Sequence, residues 1–189
     1  MAPHAIVTGA SAGIGRETAI LLAREGIDVI ATGRRTAALT ELAAYGPIHP
    51  VAADVTRPEG IARLVDAVGS QSIDILLHGA GVFPRGRLDT LQADDWQAVW
   101  STNVTSRLQL TLALRAALRG GRVLFIGSDA ARTPRAGGAA YSVSQAASEM
   151  LWRCCATELG DEIAFGLAKP GLVATAMLDA SLRAPREQF

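Results

Sequence analysis

Six short runs of aliphatic and β-branched residues recur along the chain, nearly all followed by a stretch with helical spacing, and this alternation leaves few folds open. The runs are residues 4–8, 27–32, 48–53, 73–77, 122–127 and 163–168, and helices are predicted over 15–25, 36–45, 58–68, 94–118 and 140–159. Strands joined through helices need crossover connections, so they lie parallel and are covered on both faces. The predicted architecture is a doubly wound α/β sheet in one domain spanning 1–189. Gly26 and Pro58 agree with it, one ending the first helix and the other opening the third.

The first strand runs into Thr8-Gly9-Ala10-Ser11-Ala12-Gly13-Ile14-Gly15, a loop that delivers the chain to the first helix. In a Rossmann-type sheet this is the phosphate site. Backbone N–H groups and the positive end of the helix favour a pyrophosphate there, and the glycines let backbone approach both phosphate and strand. The spacing is Gly-x-x-x-Gly-x-Gly rather than the commoner Gly-x-Gly-x-x-Gly. A dinucleotide is the expected ligand, held by Gly9, Ser11, Gly13, Ile14 and Gly15.

At the end of the second strand an acidic residue would bind the ribose 2′-hydroxyl of NAD. Here the chain reads Gly33-Arg34-Arg35, with no carboxylate to repel a 2′-phosphate and two guanidiniums that can clamp one. NADP(H) is therefore the expected cofactor, with NAD(H) less favoured; two solvated loop arginines are the plainer alternative. Asp54, just past the third strand, can accept a hydrogen bond from the adenine amino group or cap the helix that Pro58 opens.

Composition excludes other classes of partner. With 18 basic against 18 acidic side chains the net charge is zero, which offers no footprint for nucleic acid or an anionic membrane. Nothing at the N-terminus reads as a secretory signal, and no apolar run approaches the roughly 18 residues of a membrane span. A cytoplasmic protein with a small-molecule partner is the expectation. Cys154 and Cys155 are adjacent in a predicted helix, a placement that suits small apolar core residues better than a disulfide or a metal site. No metal is expected.

Taken in order, Thr8-Gly9-x-x-x-Gly13-x-Gly15, Asp54-Val55, Gly79-Ala80-Gly81, Asn103, Ser128, Tyr141 and Pro170-Gly171 resemble the short-chain dehydrogenase/reductase family over nearly the whole chain. The resemblance implies that Gly79-Ala80-Gly81 flanks the adenine ribose, although the family usually has asparagine where this chain has His78 and Gly79. His78 is then a packing residue. It implies too that Asn103 kinks its helix and holds a water of a proton relay, and that Ser128 bonds the substrate carbonyl. Pro170, Gly171, Val173 and Thr175 would meet the nicotinamide carboxamide. Tyr141, thirteen residues after Ser128 as the family pattern has it, would give the carbonyl oxygen its proton.

One departure bears on activity. Four residues after the tyrosine the family carries lysine, and Tyr141-Ser142-Val143-Ser144-Gln145 puts glutamine there. The lysine's charge lowers the phenol pKa while its amine binds the nicotinamide ribose; Gln145 can bond a ribose hydroxyl but carries no charge. Oxidation, which needs phenolate as base, suffers more than reduction. Lys169, the only lysine in the sequence, is a candidate replacement beside the Pro-Gly turn, unless it points to solvent. A second departure is length: family members usually continue into a seventh strand and a segment that completes the substrate pocket, so the sixth strand here is expected to be a bare edge unless something covers it.

The leading expectation is a carbonyl-reducing or alcohol-oxidising enzyme with Tyr141, Ser128, Asn103 and Gln145 at its centre. A catalytically impaired relative that binds NADP(H) as a structural or sensing partner is the second, and elimination or epimerisation on the same fold the third. The resemblance implies a homodimer through the helices at 94–118 and 140–159, with Trp96, Trp100 and Trp152 either on that surface or in the core.

Overall fold

The structure is a computed structural model and describes residues 2–177. Its strands are β1 (His4–Thr8), β2 (Asp28–Gly33), β3 (Ile48–Ala52), β4 (Ile75–His78), β5 (Arg122–Ile126) and β6 (Ala164–Ala168). All pair in parallel in the order β3-β2-β1-β4-β5-β6. Chain order therefore reverses between β1 and β4, and in an open parallel sheet the crevice beyond the strand ends at that reversal is where ligands bind.

Among the described residues six helices cover the sheet: α1 (Gly13–Arg24), α2 (Thr36–Thr40), α3 (Pro58–Val68), α4 (Ala93–Trp100), α5 (Ser106–Ala113) and α6 (Ala139–Leu159). Successive strand residues point to opposite faces, and both faces are apolar. Ile6, Ile30, Leu76 and Phe125 meet Leu64, Leu110 and Leu118 on one side. Val7, Val29, Ala31 and Leu77 meet Ala19, Ile20, Leu39 and Leu42 on the other. Leu76 is fully buried at the centre of the first cluster, so its truncation to alanine costs about 2–5 kcal/mol.

Where the elements differ from expectation, local causes are visible. Residues 36–45 divide into α2 and a 3-10 turn over Glu41–Tyr45. The helix expected over 94–118 is not continuous: α4 and α5 are separated by a π turn at Ser101–Thr105, and after Ala113 the chain loosens into turns that leave the core at Gly120, whose φ is 80°. Those turns still bury Leu114 and Leu118. The cysteine pair also separates, because neighbours on a helix point about 100° apart. Cys155 is buried and Cys154 is exposed. No described helix is long and apolar enough to cross a membrane.

Candidate active site

Beyond the ends of β1 and β4 lies a cavity of about 510 Å³, and of the residues singled out in the sequence as binding or catalytic, all but Asn103 line it. Its floor is backbone. Gly9 has φ of 70°, and a Cβ there would stand 2.7 Å from the Gly79 carbonyl; a Cβ on Gly15 would stand 2.6 Å from the Gly9 carbonyl. Only glycine lets loop, helix and strand meet so closely. α1 opens directly above this loop with no side chain capping it and no acid in its first turn, so its free N–H groups and dipole face the cavity. Thr8 ties the two sides of the crevice together: its hydroxyl donates to the Leu77 carbonyl and accepts from the N–H groups of Gly79 and Ala80.

At one end stand Arg34, Arg35, Asp54 and Val55. Arg35 reaches back to the glycine loop, donating from Nη2 to the Ser11 carbonyl at 2.8 Å and from Nε to Ser11 Oγ at 3.3 Å. Asp54 Oδ1 accepts from the Thr56 N–H and hydroxyl. Burial pushes the Asp54 carboxyl up, yet those bonds and the nearby Arg34 and Arg57 outweigh it and hold the group below its usual range. The helix opened by Pro58 is preceded by Arg57 with no side-chain cap, so capping by Asp54 drops out.

At the other end, the first turns of α6 present Tyr141 and Gln145 on one face. The Tyr141 ring packs on Phe83, centroids 4.5 Å apart and planes tilted by 33°. Its hydroxyl bonds to no other described residue. Ser128 Oγ accepts from the Ala130 N–H at 3.2 Å, capping a short 3-10 turn and leaving its own proton free to donate. Gln145 is 3% exposed, and its Oε1 has no partner among the described residues. Pro170, Gly171, Val173 and Thr175 come over the top, bringing a Thr175 methyl within 3.2 Å of where a Cβ on Gly13 would lie.

Asn103 sits in a kinked segment, the π turn, behind the cavity wall with its carboxamide engaged. Its Oδ1 accepts from the Val82 N–H, and its Nδ2 donates to the Val82 carbonyl and to Ser144 Oγ, which in turn donates to the Tyr141 carbonyl. It clamps the loop after β4 to the start of α6. One expectation is corrected here: Lys169 does not replace the absent lysine. It donates to Glu149 at 3.3 Å, a carboxylate that also accepts from Arg132 and Arg153.

His78 is buried, bonded to Thr111 and edge-on to Phe125; burial, then the charge of Arg107, holds it well below the usual histidine range. Sequence reasoning passed over Phe83, Ser144 and Arg107. An arginine inside a helix reads as solvated, and the one available signal was that Arg107 falls four residues after Asn103, on the same helical face. Among the described residues no group of three or more His, Cys, Asp or Glu could hold a metal ion.

Comparison with known proteins places this architecture. Residues 3–186 match the short chain dehydrogenase family. A short-chain type dehydrogenase/reductase of Sinorhizobium fredii is 34% identical over 147 residues, which take in 76% of this chain and 58% of that relative, so the chain spans less than two thirds of its length. The 3-oxoacyl-(acyl-carrier-protein) reductase of Vibrio cholerae is 30% identical over 184 residues, 93% of this chain and 75% of the relative. A solved structure described as an NAD(P)-dependent gluconate 5-dehydrogenase from Beutenbergia cavernae, with bound NADP at low occupancy, superposes with a TM-score of 0.87 at 31% identity, covering 98% of this chain and 78% of that one. The chain belongs to the short-chain dehydrogenase family.

Proposed function

We propose that this protein is an NADP(H)-dependent oxidoreductase that reduces the carbonyl of a small molecule, or oxidises the corresponding alcohol, with Tyr141 as the proton donor. The observation that carries the reading is one continuous cavity: two arginines stand at its adenosine end, an uncapped helix N-terminus at its middle, and Tyr141 with Ser128 at its far end.

The residues present fit a dinucleotide. A backbone cradle that any Cβ would fill suits the pyrophosphate, and Arg34 and Arg35 suit a 2′-phosphate better than a bare ribose. Asp54, Val55, Ala80 and Gly81 would flank the adenosine, and Gln145, with its orphaned Oε1, would accept from the nicotinamide ribose. When bound, NADP(H) supplies the reducing equivalent. The chain's own part is to orient the carbonyl and manage one proton: Tyr141 donates it, Ser128 donates a hydrogen bond to the same oxygen, and Asn103 holds Tyr141's turn in place. The neutral Gln145 is the observation that favours the second reading, an impaired relative that binds NADP(H) without turnover.

Following NADPH absorbance with a panel of ketones and aldehydes tests the first reading, with turnover expected. A fluorescence titration that shows NADPH binding while every carbonyl is left untouched would favour the second. For assembly, Trp96, Trp100, Leu112 and Met150 leave large apolar surface exposed on α4, α5 and α6, which supports a homodimer through those helices. Trp152 is not part of that argument, because it packs against the core. Light scattering at micromolar concentration reads the mass, and a strict monomer would refute the dimer.

A further inference from the structure

One cation at the site is accounted for neither by the fold nor by the cofactor. Arg107, the second residue of α5, is 3% exposed and lines the cavity with Tyr141 and Gln145. A buried guanidinium without a carboxylate is costly, and none of the ion pairs among the described residues includes it. Its Nη1 donates to the Ile126 carbonyl at 2.9 Å and to Ser148 Oγ at 2.8 Å, and its Cζ lies 5.7 Å from the centre of the Phe125 ring. Its Nε has no acceptor among the described residues. Ser148, Gln145 and Tyr141 succeed one another along one face of α6, so the guanidinium is anchored on the helix face that carries the phenol.

The titratable groups facing Arg107 are few. From β4 comes His78, kept neutral by burial and by this charge. From α6 comes Tyr141. Glu149, next to Ser148, is committed to Arg132, Arg153 and Lys169. Burial pushes the Arg107 guanidinium down to about 10, with Tyr141 acting the other way, so at neutral pH it remains charged.

We propose that Arg107 supplies, from α5, the fixed positive charge beside the Tyr141 hydroxyl that position 145 does not carry, leaving Gln145 only the hydrogen-bonding half of that role. The inference rests on the carbonyl-reductase reading for its chemistry. In reduction the carbonyl carbon takes two electrons and a hydrogen from NADPH, the π pair moves to oxygen, and the oxygen takes the Tyr141 proton. The phenolate left behind shares the cavity with Arg107 until water reprotonates it. A charge already oriented by two hydrogen bonds and shielded from solvent stabilises that phenolate without reorganising.

The test has a readout that needs neither cofactor nor turnover. The chain holds two tyrosines, so in a Tyr45→Phe background the phenolate absorbance of the cofactor-free protein reports Tyr141, and Tyr141→Phe abolishes it. Arg107→Met is expected to move the rise in phenolate absorbance about one pH unit or more upward and to lower kcat for reduction about tenfold to a hundredfold, leaving the NADPH Kd within about threefold. Gln145→Lys is expected to restore Arg107→Met yet raise the parent less than about tenfold, because the parent already has its cation.

If Arg107→Met titrates and turns over like the parent, or Gln145→Lys raises the parent about a hundredfold, the proposal is overturned. Should Arg107→Met not fold, Arg107→Lys, which keeps the charge and is expected to keep the titration, and Gln145→Lys in the intact chain decide the matter alone. A parent that binds NADPH but reduces nothing sinks the reductase reading, while the phenolate titration still reads Arg107.

Discussion

The two ends of the cavity are built from different material. The glycine-loop end is backbone: glycine conformations, an uncapped helix and loop N–H groups. The Tyr141 end is side chains: a phenol, a hydroxyl, a carboxamide and a buried guanidinium. A site made of backbone tolerates almost any sequence that keeps its glycines, whereas one made of side chains can exchange its parts, and here Gln145 stands where the family carries lysine while a buried guanidinium stands on another helix. On the proposed function, substitutions at the two ends should separate binding from turnover.

The largest expected effect is on turnover alone. Tyr141→Phe is expected to lower kcat for carbonyl reduction about a hundredfold to ten-thousandfold while the NADPH Kd, read by fluorescence, stays within about twofold. A comparable loss of binding would place Tyr141 in the cofactor site instead. At the opposite end, Gly9→Ala forces a Cβ to 2.7 Å from the Gly79 carbonyl at a φ of 70°. NADPH affinity should fall about a hundredfold with the far-UV spectrum intact; unchanged affinity would mean the loop is not the phosphate cradle.

A smaller effect divides the two cofactors. Arg34→Ala with Arg35→Ala is expected to weaken NADPH about tenfold to a hundredfold and NADH less than about threefold, the loss of charge-assisted bonds to one phosphate. Equal losses for both would remove the assignment of NADP(H). The smallest effect concerns support beneath the Tyr141 end. Bonds from Arg153, Arg132 and Lys169 overcome burial and hold Glu149 at about 2, below its ordinary 4.5. A depressed carboxylate stabilises the fold above its ordinary value and loses that contribution as pH falls from 4.5 toward about 2. Glu149→Gln should lower Tm by about 2–4 °C at neutral pH, and the difference should fade over that acid range in melts taken at several pH values.

What the sequence made legible follows the same division. The βα alternation, the glycine loop and the Gly79-Ala80-Gly81 turn are local patterns, and local patterns carry their own geometry. The Tyr141 end depends on contacts between residues far apart in sequence, such as Asn103 with Ser144 and Arg107 with Ser148, which no spacing announces. The continuous helix expected over 94–118 had the right apolar period, but period alone does not reveal a π turn. Lys169 was chosen for its place in the chain, and Glu149 draws it elsewhere because three cations converge on one acceptor.

Thr8 carries a consequence of its own. Every hydrogen-bonding position of its hydroxyl is spent, across a crevice whose two lips come from strands that are neighbours in space and about seventy residues apart in sequence. Valine has nearly the same shape as threonine, and serine is a methyl smaller. Judged by volume, valine is the gentle replacement; judged by polarity it orphans the Ala80 N–H and leaves Gly79 N–H and the Leu77 carbonyl only their bond to each other, while serine keeps all three bonds to the hydroxyl and leaves a small void. Here the isostere is the harsher change, and faster amide exchange at Ala80 in Thr8→Val than in Thr8→Ser would show that the two lips are latched through that oxygen.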